Sequence, residues 1–127
     1  MFELTINGVV YQFKFGIGFV REINKKVSRK DDNGATQELG LQYAVAGLID
    51  EDPIALVDIL ELANKNEKPR VTRAVLDAYI DEECEDISAL FADVLAFFES
   101  ANATKKMTVA VREMVAEAEK KKQAEAK

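Results

Sequence analysis

Residues 2–15 read FELTINGVVYQFKF, and this stretch decides how the chain begins to fold. Apolar and polar side chains alternate over residues 2–6 and again from residue 9, which is the period of a strand with one buried face. Asn7-Gly8 lies between the two runs. Both residues tolerate the positive φ angles of a type I′ turn, so the pattern predicts a β-hairpin. A lone hairpin is marginally stable in water, so its apolar face must pack on the rest of the chain.

Helical periodicity follows the predicted hairpin through most of the chain. Apolar residues recur every three or four positions over 17–28 and 39–50, whereas residues 29–38 between them are polar and predict a loop. Four more helices are predicted, each behind residues that suit a helix N-terminus: Asp52 with Pro53, Thr72, Asp86 and Thr104. The predicted fold class is therefore α+β, mostly α, with an N-terminal β-hairpin followed by about six helices.

The chain of 127 residues is long enough for one domain with its own core. We expect residues 1–116 to form this domain. Residues 117–127, EAEKKKQAEAK, contain no apolar side chain larger than alanine, so they predict a charged tail that is a frayed helix or disordered.

No apolar run approaches the roughly 20 residues of a membrane span, and the N-terminus lacks the pattern of a signal peptide. These features favour a cytoplasmic protein without a membrane partner.

The sequence lacks the residues or spacings that most catalytic and metal-binding sites require. The chain has no histidine, which excludes histidine-dependent triads and proton shuttles. Its one cysteine, Cys84, lies among acidic residues that disfavour the reactive thiolate. The loop at residues 31–34 lacks the spacing of a calcium-binding loop. Acidic residues over 81–86 could hold a divalent cation, but a solvated loop between helices explains them more simply. We expect no enzymatic activity, no cofactor and no metal.

The charges are unevenly distributed along the chain. Residues 1–30 contain six basic and two acidic side chains, residues 50–99 four basic and fourteen acidic ones, and residues 100–127 seven basic and four acidic ones. An acidic middle between basic ends suits head-to-tail self-association or a complementary partner, although solvated helix faces give the same pattern. The net charge of −6 argues against nucleic-acid binding, because contacts with phosphates supply most of that affinity.

Three apolar residues lie off the inward faces of their predicted helices. At about 100° per residue, Tyr43 lies nearly opposite Leu41 and Leu48, while Ile54 and Leu62 lie nearly opposite the inward residues of the next helix. Surplus apolar surface of this kind meets either another helix of the same domain or a partner protein. Both interpretations remain open from the sequence.

Three long segments of the chain resemble a known protein family. They are MFELTINGVVYQFKFGIGFVREINKKV at 1–27, GLQYAVAGLID at 40–50 and DPIALVDILELANKNEKPRVT at 52–72. Together they resemble the tail assembly chaperones of long-tailed phages (siphophages) that infect Gram-positive bacteria. The resemblance covers about residues 1–105. It lies in the order, spacing and length of the elements and involves no catalytic signature.

The resemblance implies a function, partners and a location. Members of this family bind the tape measure protein, a very long helical chain that sets tail length, and keep it soluble while tail tube subunits polymerise around it. They self-associate and are absent from the finished virion, so the resemblance implies a homo-oligomer in the host cytoplasm, with the tail tube protein as a further candidate partner. In many such phages a ribosomal frameshift near the end of the gene gives a longer product. Lys120-Lys121-Lys122 could be encoded by an adenine run at which this happens.

Particular residues are expected to make these contacts. For the tape measure protein they are the three off-face residues Tyr43, Ile54 and Leu62. For self-assembly, the basic residues Arg21, Lys25 and Lys26 of the first helix are expected to meet an acidic segment of a neighbouring copy, consisting of Asp81, Glu82, Glu83, Glu85 and Asp86.

Other functions compete with a chaperone. The main alternative is a structural head–tail or tail component that stays in the virion. A small enzyme that uses carboxylates and a DNA-binding regulator are weaker alternatives, because the sequence offers no convincing catalytic site and carries a net negative charge.

Overall fold

The computed structural model of the protein describes residues 1–125, and it begins with the predicted β-hairpin. Strands β1 (Phe2–Ile6) and β2 (Val9–Phe13) pair antiparallel, with Ile6 opposite Val9. Asn7 and Gly8 connect them with φ angles of 53° and 78°. These positive values are those of a type I′ turn, so the predicted hairpin and its turn are confirmed.

An aromatic cluster attaches this hairpin to the helices. Phe2 and Phe13 are buried on its inner face, and Phe15, two residues beyond Phe13, is buried as well. The ring centroids of Phe15 and Phe98 lie 4.9 Å apart, and those of Phe2 and Phe97 lie 5.3 Å apart. Phenylalanine burial therefore supplies the packing that a two-stranded hairpin needs to be stable.

Within residues 1–125, six α-helices follow the hairpin and confirm the predicted α+β, mostly α class. They are α1 (Ile17–Asn24), α2 (Gly40–Ile49), α3 (Pro53–Ala63), α4 (Arg73–Ala78), α5 (Ile87–Ser100) and α6 (Lys105–Glu125), and a π-helical turn at Tyr79–Glu83 continues α4. Three predicted N-caps are confirmed: the side chains of Asp52, Thr72 and Asp86 accept hydrogen bonds from the backbone N–H groups of Ile54 (3.0 Å), Val75 (3.2 Å) and Ala89 (3.0 Å).

A second antiparallel hairpin lies between α1 and α2, where the sequence predicts the end of a helix and a loop. Strands β3 (Ser28–Lys30) and β4 (Thr36–Glu38) pair here, and every residue of both strands is exposed. The carboxylate of Asp31 accepts hydrogen bonds from the N–H groups of Asn33 and Ala35, both at 2.9 Å, and holds the turn. The loop prediction is wrong because turn chemistry and backbone pairing form this hairpin without any buried face, so no apolar alternation marks it.

Helices α1, α2 and α3 approach one another closely at two glycines. A Cβ atom on Gly40 would lie 1.7 Å from the carbonyl oxygen of Ile23, and one on Gly47 would lie 2.6 Å from the Cβ of Ala55. Both distances are shorter than van der Waals contact, so only glycine permits this packing. The close approach leaves a shallow, small-residue surface where the three helices meet.

A buried asparagine joins the first hairpin to the end of α3 and the segment after it. The side-chain amide of Asn64 donates to the carbonyl oxygens of Gln12 (2.9 Å) and Pro69 (3.1 Å). Its carbonyl oxygen accepts from the backbone N–H of Val71 (2.6 Å) and from the guanidinium of Arg70 (3.0 Å). One fully buried side chain at the end of α3 therefore bonds to polar groups of two other segments, β2 and residues 69–71.

Helix α6 packs on α2 and α5 through its first half only. Thr108 and Val111 are buried, Val115 packs partly against the core, and the residues from 117 to 125 are all exposed. The predicted division into a domain at 1–116 and a charged tail at 117–127 stays a prediction, and residues 126 and 127 lie outside the described residues. Within residues 1–125, no helix is both long enough and apolar enough to cross a membrane.

Candidate partner-binding face

Two of the three apolar residues expected to contact a partner line the same groove. The side chain of Tyr43, on α2, is 55% exposed, and that of Ile54, at the start of α3, is 74% exposed. They line a groove of about 260 Å³ between α2 and α3, named here the α2–α3 groove. Because two exposed apolar side chains line the same groove, the groove is the leading candidate for a partner site.

Small residues form part of the α2–α3 groove, which Ile23, Ile59, Asp52 and Asp58 also line. Gly40, Ala44, Gly47 and Ala55 line it between the two larger side chains, and Lys26 and Val27 lie at the end that faces the second hairpin. The close helix packing at the two glycines keeps this surface shallow. A groove with small residues and two exposed apolar side chains suits the apolar face of a helix.

A second groove lies on the other side of Ile54. This α3–α4 groove has a volume of about 420 Å³, and Pro53, Ile54, Val57 and Ile80 form its apolar part. Ile54 and Asp58 line both grooves, so these two side chains lie between them. The two grooves together form one continuous surface, named here the Ile54 face.

Carboxylates dominate the far side of the α3–α4 groove. Arg73 forms ion pairs there with Asp58 (3.0 Å) and Glu61 (3.1 Å), and its hydrogen bond with Glu61 raises the pKa of the guanidinium. Asp77 and Asp81 line the same groove, and neither forms an ion pair within residues 1–125. Arg73 lines this groove beside Asp58, Asp77 and Asp81, so the edge has a net negative charge within the described residues.

The basic residues expected to mediate self-assembly lie toward the opposite edge. Arg21, Lys25 and Lys26 are all exposed, but only Lys26 lines the Ile54 face. Lys25 is 3.8 Å from Glu22, which also pairs with Lys65 at 3.3 Å. The hydrogen bond from Lys65, with the nearby positive charge of Lys25, lowers the pKa of Glu22. Lys25 is therefore partly neutralised within its own chain, whereas Lys26 is available to a partner.

The acidic residues expected to receive these bases have different surroundings. Asp81 lines the Ile54 face, while Asp86 caps α5 through the backbone N–H of Ala89. Glu82, Glu83 and Glu85 are exposed, and none of them forms an ion pair in the part of the chain that the structure describes. No group of three or more Asp, Glu or Cys residues within 1–125 is arranged to hold a metal ion.

Leu62, the third expected contact residue, lies apart from the other two. It is half-buried against the core and lines a separate cleft with Lys14 and Ile17. The sequence also missed the contribution of α4, because it gave no reason to place Asp77 and Ile80 beside Ile54. Their adjacency depends on how α4 packs on α3, which no local pattern encodes.

A comparison with protein families gives a match to a known family. A family model described as "Phage tail assembly chaperone protein, TAC" matches residues 3–113, which include both grooves of the Ile54 face. No curated protein and no solved structure matches the chain.

Proposed function

The chain belongs to the phage tail assembly chaperone family, and from this premise we propose that it binds the tape measure protein of a long-tailed phage and keeps it soluble during tail assembly. The observation that supports this proposal is the exposure of Tyr43 and Ile54 on one groove within the matched residues. A long helical client exposes apolar stripes that would aggregate in water. A groove with two exposed apolar anchors is suited to covering one segment of such a stripe.

Weak, repeated contacts fit this task better than one tight site. Burying a large exposed apolar side chain contributes about 1.5–3 kcal/mol, so a single groove with two such anchors gives modest affinity. Many copies along one client would hold it through avidity, and each copy would still leave easily when tail tube subunits replace it. We place Leu62 in the same proposal as a peripheral contact, on a cleft that neighbouring client residues would reach.

Self-association is the second part of the proposal. Arg21, Lys25 and Lys26 would meet the acidic segment of a neighbouring copy, formed by Asp81, Glu82, Glu83, Glu85 and Asp86. Exposed ion pairs contribute only about 0–1 kcal/mol each, so this contact would depend on several pairs and would weaken with salt. The tail tube protein is a further proposed partner, because it has to replace the chaperone on the client.

The proposal includes where and in what form the protein acts. We place it in the host cytoplasm and outside the mature virion, as one domain over residues 1–116 with a charged tail over 117–127. Its family is not a known enzyme class, and we propose that it works by binding alone, without catalysis or a cofactor.

A frameshifted longer product is a separate part of the proposal. Lys120-Lys121-Lys122 lies in the exposed last part of α6, where an extension would leave the domain undisturbed. Sequencing these codons tests the idea directly. An adenine-rich slip site supports it, and codons without such a site contradict it.

Co-expression with the tape measure protein tests the client site. We expect the wild-type chain to bring the tape measure protein into the soluble fraction, and Tyr43→Ser with Ile54→Ser to weaken binding roughly 10–100-fold. Val109→Ser is the matched control, since Val109 is 51% exposed but lies on α6. Equal activity of the double variant and the control would contradict the assignment of the groove.

A further inference from the structure

The α3–α4 groove brings apolar and acidic side chains together on one surface. Val57 is buried, Ile80 is half-buried and Ile54 is exposed, so the apolar part extends from the interior to solvent. Asp77 lines the groove from α4 and Asp81 lines it from the π-helical turn, and both are exposed. A partner in this groove therefore contacts apolar side chains and carboxylates at the same time.

The side chains that line this groove have a net charge of −2. One guanidinium, that of Arg73, lines it with three carboxylates, those of Asp58, Asp77 and Asp81. The guanidinium donates to Asp58 at 3.0 Å and to the two carboxylate oxygens of Glu61 at 3.1 and 3.2 Å. Glu61 and Asp58 accordingly raise the pKa of Arg73 more than Asp77 does. Asp77 and Asp81 form no ion pair within residues 1–125, so the unbalanced negative charge lies on the α4 side.

The other side of Ile54 does not supply the missing cation. Lys26 lines the α2–α3 groove, but the carboxylates of Asp52 and Asp58 line it as well, so the charge there is also negative. Among residues 1–125, Arg73 is the one basic side chain that lines the α3–α4 groove. The cation that would balance the groove therefore has to come from a partner.

The combination of apolar surface and carboxylates restricts which partner fits. An uncharged apolar segment that covered Ile54 would also remove water from Asp77 and Asp81, and burial of an unpaired carboxylate is unfavourable. An acidic segment would add repulsion between like charges. A segment with Lys or Arg beside an apolar stripe avoids both effects, because it covers the isoleucine and pairs with the carboxylates.

We propose that the α3–α4 groove binds helical segments of the client that carry Lys or Arg beside an apolar stripe. This inference rests on the proposed binding of the tape measure protein and specifies which of its segments the chain selects. The apolar stripe packs on Ile54 and Ile80, and the basic residues pair with Asp77 and Asp81. Because these two carboxylates are four residues apart in the chain, two basic residues one helical turn apart on the client meet both.

The two grooves then have different roles in binding. Tyr43 lines only the α2–α3 groove, Asp77 lines only the α3–α4 groove, and Ile54 lines both. Apolar burial beside Tyr43 contributes affinity for any exposed stripe, whereas the carboxylates discriminate among stripes by the charge next to them. Binding of the selected segments should therefore weaken as the salt concentration rises.

Charge reversal at Asp77 tests the proposed selectivity. Asp77 is exposed and lies outside the acidic segment assigned to self-assembly, so Asp77→Lys leaves that segment intact. The probes are overlapping peptides that cover the tape measure protein, each several helical turns long, titrated against the full-length chain by fluorescence anisotropy. The tightest-binding peptides should carry basic residues beside an apolar stripe. Asp77→Lys should weaken their binding about tenfold and reduce its dependence on salt.

Glu113→Lys is the matched control for net charge. Glu113 is exposed on α6, away from the α3–α4 groove, and its replacement changes the charge of the chain by the same amount. This variant should bind the peptides like the wild type. Equal weakening by the two variants would mean that overall charge governs binding, and it would overturn the inference.

A reciprocal change in the peptide makes the test specific to the groove. Each basic residue of the tightest-binding peptide is replaced by glutamate in turn. One of these peptides should bind Asp77→Lys more tightly than it binds the wild type, because the pair is restored with its charges exchanged. The inference fails if no peptide shows this exchange, or if the wild type prefers neutral or acidic peptides.

The outcomes distinguish this inference from the proposed function. Peptide binding that depends on Tyr43 but not on Asp77 would retain the client site and overturn the selection by charge. If isolated peptides do not bind, the variants are compared by co-expression with the whole tape measure protein. Loss of soluble client with Asp77→Lys but not with Glu113→Lys then supports the inference, and equal solubility overturns it. A client that stays insoluble even with the wild-type chain contradicts the proposed function, and the inference with it.

Discussion

Asn64 connects more of the fold than any other single polar side chain in the described residues. It is fully buried and bonds to Gln12, Pro69, Arg70 and Val71. This role could not be predicted from the sequence, because nothing in a local pattern shows that an amide at a helix end turns inward. The bonding requires the hairpin and the segment after α3 to meet there, which is a property of the folded chain.

Replacing Asn64 should therefore destabilise the protein strongly. We expect Asn64→Ala to lower the free energy of unfolding by about 2–4 kcal/mol, because buried N–H and C=O groups lose their partners. Urea denaturation measures the change. Asn66→Ala is the control, since Asn66 is exposed, and it should change stability by less than about 0.5 kcal/mol. Similar losses for both variants would contradict the role assigned to Asn64.

Two glycines in helices should respond in opposite ways to alanine. A Cβ on Gly47 would lie 2.6 Å from the Cβ of Ala55, whereas a Cβ on Gly18 meets nothing within 4 Å. We expect Gly47→Ala to destabilise by about 1–3 kcal/mol through overpacking, and Gly18→Ala to stabilise α1 by up to about 1 kcal/mol. Thermal unfolding of both variants checks the signs. Stabilisation by Gly47→Ala would show that α2 and α3 pack less closely than described.

At the scale of elements, the sequence predicted those turns and helix ends that depend on a few neighbouring residues. The Asn7-Gly8 hairpin and the caps at Asp52, Thr72 and Asp86 follow from short patterns with a defined physical basis, and all are confirmed. The hairpin at β3 and β4 was missed, because strand prediction depends on a buried face and this hairpin has none. An exposed element of this kind leaves no apolar periodicity in the sequence.

Helix α6 should divide into a structural half and a dispensable half. Removing residues 117–127 should change the free energy of unfolding by less than about 0.5 kcal/mol, because residues 117–125 are exposed. Val111→Ala should lower it by about 1–3 kcal/mol, since Val111 is buried against the domain. Chemical denaturation of the two variants measures both. A large loss on truncation would contradict the domain boundary proposed near residue 116.

At the scale of the whole molecule, function depends on which surfaces the fold brings together. Helical periodicity identified Tyr43 and Ile54 as off-face residues, and the structure places both on one groove. Periodicity treated Leu62 in the same way, yet it packs partly against the core. The difference arises from how neighbouring helices cover each face. The periodicity of a single helix therefore identifies off-face residues, but it does not show which of them stay exposed in the folded protein. The acidic edge at Asp77 and Asp81 likewise depends on packing between α3 and α4.

Affinity capture from phage-producing cells, combined with analysis of purified virions, tests the central claim most directly. A tagged full-length chain should enrich one very long, helical phage protein, the tape measure protein, and mass spectrometry of finished virions should not detect the chain. Enrichment of connector or tail tube proteins without the tape measure protein, together with retention of the chain in virions, would contradict the account and indicate a structural component.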